Sequence, residues 1–203
     1  MRENIDPDLR PADTPLCGVD EVGRGALAGP VVAAAVVMPP ELMIDEVEDS
    51  KRLTPARRIE LDVIIRSRAT ALALGAAGCD SIARQNILGA TLQAMRRAVH
   101  RLKIKPGLVV VDGNIVPDIN LPCHCVIRGD TRSFSIACAS IVAKVFRDRL
   151  MAKLNARYPG YGFDRHKGYG TPDHLHALRE LGPSPIHRRT FNPVRALLHS
   201  TPT

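Results

Sequence analysis

The sequence contains no tryptophan, and aromatic residues make up only 3% of its 203 positions. A core built without them depends on Val, Ile, Leu and Ala, and a platform of aromatic side chains for base stacking is disfavoured. No apolar run approaches the roughly 20 residues that cross a bilayer, and no basic amphipathic terminus stands out. We therefore expect no membrane contact.

Patterns that would indicate secretion, zinc binding or a nucleotide cofactor are also missing. The five cysteines are odd in number and lack disulfide-framework spacing, which favours a reducing, cytoplasmic location. The cluster Cys123-His124-Cys125 has no second ligand pair for zinc. No Walker sequence occurs, and Gly29 falls one place too late for the dinucleotide fingerprint. Residues 1–15 are polar, lack the apolar core of a signal peptide and are predicted to form a flexible N-terminal arm.

Positive charge is present in excess. The chain has 28 Lys and Arg residues against 21 Asp and Glu residues, a net charge of +7. Such a balance favours a partner with a phosphate backbone, although a basic protein without such a partner is the simpler alternative.

Hydrophobic patterning predicts a single α/β domain over residues 16–203, with a C-terminal helical extension from about residue 158. Strands are predicted over Leu16–Asp20, Val31–Met38, Ala69–Ala77, Leu108–Val111 and Cys123–Ile127. Helices are predicted over Pro55–Arg68, from a cap at Asp80 or Ser81 to Leu102, and over Ser135–Arg157 and Pro172–Leu181, followed by a terminal segment around Phe191–Leu198. The helix from Ser135 is expected to carry a basic outer surface made of Lys144, Arg147, Arg149, Lys153 and Arg157.

Acidic residues follow several of these strands. The first predicted strand ends at the acid pair Asp20-Glu21, Asp112 comes directly after a buried strand, and Asp130 follows the last strand. Adjacent side chains in a regular strand point to opposite faces, so the first strand is expected to end or bend at Asp20-Glu21. Carboxylates gathered at one rim of the sheet would give Mg²⁺ or Mn²⁺ the hard oxygen ligands that these ions prefer. The pattern therefore predicts a metal site suited to phosphodiester chemistry.

Other polar residues have alternative interpretations. Asp49 has no apolar strand before it and is predicted to be a loop acid near the substrate. Asp148 lies four residues after Lys144 on a helix, which favours a surface ion pair over metal binding. Glycines at 23 and 25 would let the backbone approach a substrate, with Arg24 free to take a phosphate.

Together these motifs resemble the type 2 ribonuclease H family, in particular its bacterial ribonuclease HII branch. The resemblance covers about residues 16–194 and depends on the order and spacing of six motifs. They are Gly18-Val19-Asp20-Glu21-Val22-Gly23-Arg24-Gly25 with Ala28-Gly29-Pro30, Asp49-Ser50-Lys51, Val111-Asp112-Gly113, Gly129-Asp130, Ser140-Ile141-Val142-Ala143-Lys144, and His166-Lys167-Gly168-Tyr169-Gly170-Thr171. One departure is Arg128, where the family often has Lys, and the charge is kept.

The resemblance implies a ribonuclease H-like three-layer α/β fold, with a mixed five-stranded central sheet and additional C-terminal helices. It implies an endoribonuclease that hydrolyses the RNA strand of RNA/DNA hybrids and nicks 5′ of single ribonucleotides embedded in duplex DNA. The ends left would be a 3′-hydroxyl and a 5′-phosphate, as in ribonucleotide excision repair and DNA replication. Two Mg²⁺ or Mn²⁺ ions, bound together with the substrate, would share Asp20.

The resemblance also assigns residues to the site. The catalytic and metal-binding carboxylates would be Asp20, Glu21, Asp112 and Asp130. The substrate-binding residues would be Gly23, Arg24, Gly25, Ser50, Lys51, Lys144, His166 and Tyr169. Of these, Tyr169 would pack on the neighbouring sugar, whereas a lone Tyr between glycines is otherwise read as a loop anchor.

Two alternatives remain open on the sequence alone. One is a non-catalytic module that binds RNA/DNA hybrids, and the other is a different nuclease of the same fold, such as a junction resolvase. We expect a monomer, because no apolar repeat indicates a self-interface.

Overall fold

The computed structural model describes residues 4–10, 14–47, 50 and 53–199. Its five strands are β1 (Leu16–Val22), β2 (Val31–Val37), β3 (Ala71–Ala77), β4 (Leu108–Asp112) and β5 (Cys123–Val126). Its helices are α1 (Asp6–Leu9), α2 (Pro55–Arg68), α3 (Cys79–His100), α4 (Gly129–Arg132), α5 (Phe134–Arg157), α6 (Phe163–His166), α7 (Pro172–Leu181) and α8 (Asn192–His199). Over the described ranges, none of these helices is long and apolar enough to cross a membrane.

The strands form one mixed sheet in the order β3-β2-β1-β4-β5. Strands β1, β2 and β3 pair antiparallel as a meander, whereas β4 and β5 continue the sheet parallel to β1. Strand β4 is buried along its apolar part, as expected for a central strand covered on both faces. The predicted mixed five-stranded sheet is confirmed.

Helices cover both faces of this sheet. Alternate side chains of β1 and β2, such as Val19 and Ala33, pack with Met95 and the rest of the buried side of α3. The intervening side chains, such as Ala34, pack with α2 and with the apolar side of α5. The three-layer α/β/α arrangement follows from this period of two in the buried strands.

Local capping signals explain where α2 and α7 begin. Thr54 accepts a hydrogen bond from the Arg57 N–H at the start of α2, and Thr171 does the same for His174 at the start of α7. In α3 the prediction was wrong in two respects. The N-cap is Gly78 rather than Asp80 or Ser81, and the backbone leaves helical geometry at Asn86, whose φ is +58°.

The break in α3 has a local cause. The Asn86 side-chain oxygen accepts hydrogen bonds from the N–H groups of Leu88 and Gly89, at 2.8 and 3.1 Å. Asn86 thus acts as the N-cap of a second helical segment, because its side-chain oxygen takes the place of a backbone carbonyl as acceptor for these N–H groups.

Residues 4–10 do not form the flexible arm that was predicted for residues 1–15. Asp6 is buried, and its carboxylate accepts hydrogen bonds from the backbone N–H and hydroxyl of Ser135, at 2.8 and 2.7 Å. Ile5 and Leu9 pack against a cluster that contains Val110. Residues 4–10 therefore belong to the domain, and residues 1–3 and 11–13 lie outside the described part of the chain.

Candidate active site

The acid pair of β1 lies where the sheet becomes open on one side. Pairing of β1 with β2 continues to Val22, whereas pairing with β4 stops at Val19 and Val111. The strand therefore does not end at Asp20 and Glu21, because β2 alone keeps this segment extended. The Asp20 carboxylate accepts a hydrogen bond from the Glu21 N–H at 2.7 Å. Beyond the point where β1 stops pairing with β4, the Asp20 side chain therefore satisfies a backbone N–H of β1.

Asp20 and Asp112 point to the same face of neighbouring strands. Two residues before Asp20, β1 packs so closely on α5 that a Cβ atom on Gly18 would lie 2.1 Å from the Ser135 carbonyl carbon. Because side chains alternate along a strand, Asp20 also faces α5, where the Ser140 hydroxyl hydrogen-bonds to it. The parallel register of β1 and β4 places Asp112 beside Asp20. The sequence-based expectation that the two share one rim is confirmed.

Burial and mutual repulsion shape the ionisation of these carboxyl groups. Burial, followed by the nearby charges of Glu21 and Asp112, raises the pKa of Asp20 well above its usual value. Burial also raises the pKa of Glu21, against the opposing effect of Arg24, whose guanidinium lies 3.5 Å from the Glu21 carboxylate. A cation placed among these groups would remove the repulsion and favour their ionised forms.

A cavity of about 360 Å³ opens at this rim, and we call it the rim cavity. It brings together most residues that the sequence assigned to the site. Its lining consists of Asp20, Glu21, Val22, Gly23, Arg24, Gly25, Ser50, Asp112, Ser140, Lys144 and Tyr169.

Asp130 lies next to this group but does not line the cavity. It is buried on α4, which follows Arg128 in left-handed geometry with a φ of +56°. The preceding Gly129 N–H donates to the Asp112 carboxylate at 2.6 Å. The start of α4 is therefore tied to Asp112, while the role of Asp130 as a ligand stays a prediction.

The donor chemistry of the rim fits a hard divalent ion. Asp20, Glu21 and Asp112 offer carboxylate oxygens at one place, and burial followed by neighbouring negative charge raises the pKa of Asp20. Across the described residues, however, no three His, Cys, Asp or Glu side chains already stand in metal-binding geometry. Ligation by this set would therefore require side-chain rearrangement.

A pair of serines connects the acids to α5. The Ser140 hydroxyl contacts the Asp20 carboxylate and lies 2.9 Å from the hydroxyl of Ser50, and both serines are buried. Ser50 was a predicted substrate contact, whereas Ser140 was not assigned to the site. The neighbours of Ser50 in the chain lie outside the described residues. They are Asp49, a predicted loop acid, and Lys51, a predicted substrate contact.

Two buried arginines hold the glycine loop, residues 23–30. Arg188 donates to the carbonyls of Gly23 and Arg24, both at 2.6 Å, and of Gly29 at 3.0 Å. Arg147 donates to the carbonyls of Pro30 and Ala28, at 3.0 and 3.1 Å.

Gly23 is required where the loop meets Arg147. Its φ is +93°, and a Cβ atom there would lie 2.1 Å from the Arg147 Nε atom. Arg147 is fully buried, so its predicted place on the basic outer surface of α5 is wrong. The exposed residues of that predicted surface include Arg149, Lys153 and Arg157.

A chain of histidines holds the backbone at Tyr169. His174 Nδ1 donates to the Tyr169 carbonyl at 2.9 Å, and His187 Nε2 lies 3.0 Å from His174 Nε2. The Ser184 N–H donates to His187 Nδ1 at 2.9 Å. These contacts are all satisfied when both histidines are neutral, with His187 donating to His174. Burial lowers the pKa of His174, and burial followed by the nearby His174 lowers the pKa of His187 to about 4.

His166 and Lys144 differ in how the structure places them. His166 does not line the rim cavity: its Nε2 donates to the Tyr161 carbonyl at 2.7 Å, and its ring stacks on His174 with centroids 4.3 Å apart. Lys144 lines the cavity and forms the predicted ion pair with Asp148, at 2.9 Å. Substrate contact by either residue stays a prediction.

Sequence reasoning missed three contributors to this arrangement. Ser140 begins the motif Ser140-Ile141-Val142-Ala143-Lys144, and its position four residues before Lys144 on the same helix indicated that the two side chains share a face. Arg147 and Arg188 gave no such signal, because a buried arginine that binds only backbone carbonyls has no characteristic sequence neighbour.

Most of the chain resembles proteins of known family. The family model described as ribonuclease HII matches residues 17–194. Ribonuclease HII of Idiomarina loihiensis is 49% identical over 183 residues, covering 90% of this chain and 98% of that protein. Ribonuclease HII of Dechloromonas aromatica is 52% identical over 179 residues, covering 88% and 91%. The crystal structure of ribonuclease H2 from Pyrococcus horikoshii OT3 superposes with a TM-score of 0.78 at 25% identity, covering 91% of this chain and 97% of that one.

Proposed function

Because the chain belongs to the ribonuclease HII family, and is therefore a metal-dependent endoribonuclease of the ribonuclease H type, we propose that the rim cavity is its active site. The observation that carries the proposal is the placement of Asp20 and Asp112 on one face of adjacent strands, beside a glycine loop and a lysine. The proposed metal-binding carboxylates are Asp20, Glu21, Asp112 and Asp130. Divalent ions held by these residues, Mg²⁺ or Mn²⁺, would supply an activated water molecule and positive charge beside the leaving 3′ oxygen.

The proposed substrates are RNA/DNA hybrids and DNA duplexes that contain single ribonucleotides, cut on the 5′ side of the ribonucleotide. The ribose 2′-hydroxyl both donates and accepts hydrogen bonds, and it is the group that separates RNA from DNA at the cut. Backbone groups of Gly23, Arg24 and Gly25 line the cavity and can reach such a hydroxyl. Tyr169 also lines the cavity and would pack on the neighbouring sugar. Products with a 3′-hydroxyl and a 5′-phosphate follow from this direction of cleavage.

Two side chains prepare the site for a polyanion. Lys144 lines the cavity and can pair with a phosphate in exchange for Asp148. Ser140 fixes the Asp20 carboxylate through its hydroxyl, so that the side chain keeps one orientation toward the cavity. The excess of basic residues over the whole chain, a net charge of +7, favours approach of the duplex. We treat the protein as a monomer that needs no nucleotide cofactor.

A nicking assay tests the proposed function. Duplex DNA with one ribonucleotide is incubated with the protein in Mg²⁺, in Mn²⁺ and in chelator, and an all-DNA duplex of the same sequence is run in parallel. We expect one cut, 5′ of the ribonucleotide, in at least one metal and none in chelator. Cutting of the all-DNA duplex would instead indicate another nuclease of this fold.

Asp112→Asn tests the assignment of the carboxylates. The substitution keeps the shape and the hydrogen bond from Gly129 but removes a charge, so turnover should fall by at least about 100-fold with hybrid binding largely kept. Asp118→Asn is the matched control, because the Asp118 side chain is 98% exposed. Normal turnover of the Asp112 variant would remove this residue from the catalytic set, and a failure to fold would make it structural.

A further inference from the structure

Arg188 is a buried cation whose partners are backbone carbonyls. Its side chain is 1% exposed, and it forms no ion pair with any described residue. Burial, followed by the nearby charge of Arg147, lowers its pKa to about 10, so it remains charged at neutral pH. An ion removed from water in this way is costly unless its hydrogen bonds are well made. All three donor nitrogens of the guanidinium are in use, each on a carbonyl of the glycine loop.

The bonds of Arg188 fix the direction of two peptide groups. The Gly23 carbonyl shares its peptide with the Arg24 N–H, and the Arg24 carbonyl shares its peptide with the Gly25 N–H. The described residues contain no cis peptide, and in a planar trans peptide the N–H points opposite to the C=O. Both carbonyls point at the buried guanidinium, so the Arg24 and Gly25 N–H groups point away from it. Arg24 and Gly25 line the rim cavity, whereas Arg188 does not.

Two successive N–H groups directed to one side form a concave site for an oxygen atom with negative or partial negative charge. Positive charge at the carbonyl end of each peptide polarises it further and strengthens its N–H as a donor. The planar fork of arginine can hold neighbouring carbonyls together, which the single ammonium of lysine cannot do in the same geometry. Within the described ranges, neither N–H donates to another backbone carbonyl outside regular elements.

We propose that Arg188 is a positioning residue for substrate binding. By holding the carbonyls of Gly23 and Arg24, it directs the Arg24 and Gly25 N–H groups at an oxygen of the bound nucleotide, either the ribose 2′-hydroxyl or a backbone phosphate. Arg188 touches no substrate itself and acts through the loop. This role rests on the proposed function of the rim cavity.

Steady-state kinetics on the duplex with one ribonucleotide test the role, using Arg188→Lys and Arg188→Gln. Both variants should raise KM by about 10-fold, the equivalent of about 1.4 kcal/mol, with kcat changed much less, because binding to substrate and to transition state is weakened alike. KM does not depend on the fraction of protein that is folded. A purely structural role would lower kcat through loss of active protein and leave KM unchanged.

Inhibition by an all-DNA duplex distinguishes the two oxygen sources. If the N–H groups hold a phosphate, the inhibition constant of this duplex should rise by the same factor as KM. If they hold the 2′-hydroxyl, only KM should rise. Arg189→Gln is the matched control, since it removes the same charge from an exposed neighbour.

Wild-type KM in both Arg188 variants would overturn the positioning role. So would an Arg188→Lys protein that is unfolded at the assay temperature, since the residue would then serve stability. Failure of the proposed function is a separate result, because the wild-type protein itself would then make no metal-dependent nick.

Discussion

Single residues of the rim show a conflict between stability and function. Asp20 is 5% exposed, and its neighbours Glu21 and Asp112 are also acidic. A carboxyl group with a raised pKa in the folded state adds stability below its unfolded pKa and loses that contribution as the pH rises through the folded pKa. Without metal, ionisation of Asp20 therefore opposes folding, and a cation bound at the rim would favour the ionised form.

Asp20→Asn should stabilise the metal-free protein while abolishing cleavage. The amide can still accept the Glu21 N–H hydrogen bond, and it carries no charge to bury. We expect a gain of about 1 kcal/mol or more at pH 7 in chelator, roughly 2–4 °C in Tm, which disappears below the unfolded pKa of 3.8. Urea unfolding of the variant and the wild type, at pH 7 and below pH 3.8, measures this gain in stability. Added Mn²⁺ should reduce the difference in stability between the two proteins at pH 7. A less stable variant at pH 7 would show that Asp20 is compensated in the metal-free protein.

At the scale of elements, the long helix α5 is fixed at its N-terminus by a residue from the first ten of the chain. Asp6 accepts hydrogen bonds from the Ser133 and Ser135 hydroxyls and from the Ser135 N–H, while Ser133 caps the helix through the Ile136 N–H. Negative charge at this end also suits the helix dipole. Because Ser140 lies less than two turns further along α5, the same contact sets the register of the helix against Asp20.

Asp6→Ala should destabilise the protein without changing its chemistry. Loss of the carboxylate leaves buried donors unpaired, which costs about 1–3 kcal/mol. Denaturant unfolding should show this loss, whereas kcat/KM well below the melting temperature should stay near normal, because Asp6 does not line the rim cavity. Asp8→Ala, at an exposed position of the same helix, is the control. Equal stability of the two variants would contradict a capping role for Asp6.

At the scale of the whole molecule, two neighbouring C-terminal residues hold the two loops that line the rim cavity. Arg188 holds the glycine loop near the start of the chain, and its neighbour His187 reaches the Tyr169 loop through His174. The second connection depends on neutral imidazoles. A histidine with a lowered folded pKa contributes stability that is complete above the unfolded pKa and is lost as the pH falls toward the folded value.

The protein should therefore lose stability on the acid side. Between pH 6.5 and about 4, protonation of His187 in the unfolded state should remove about 2 kcal/mol from the free energy of unfolding. Unfolding followed across this range should show a flatter profile for His187→Gln than for the wild type. The exposed His199, changed to Gln, should leave the slope unaltered. A parallel profile in the His187 variant would show that this histidine does not control acid stability.

Features of the fold that depend on residues close together in the chain could be predicted from the sequence, whereas features that depend on distant contacts could not. The Thr54 cap, the apolar run of β4 and the position of Asp112 follow from neighbouring residues, and the structure bears them out. Asn86 interrupts α3 by a side-chain bond that the apolar period does not reveal. Arg147 looked like a surface residue because its burial depends on carbonyls from distant loops. Long-range contacts to backbone, which carry no residue signature, account for most of what was missed.

The bond between Arg188 and the Gly23 carbonyl spans 165 positions of the chain. During synthesis from the N-terminus at about 5–20 residues per second, the glycine loop leaves the ribosome on the order of 10–30 s before its guanidinium partner. A nascent chain thus carries β1 and its acids long before the clamp exists. A polypeptide that stops before Arg188 lacks this contact, so it should bind the ribonucleotide-containing duplex more weakly than a chain that includes it.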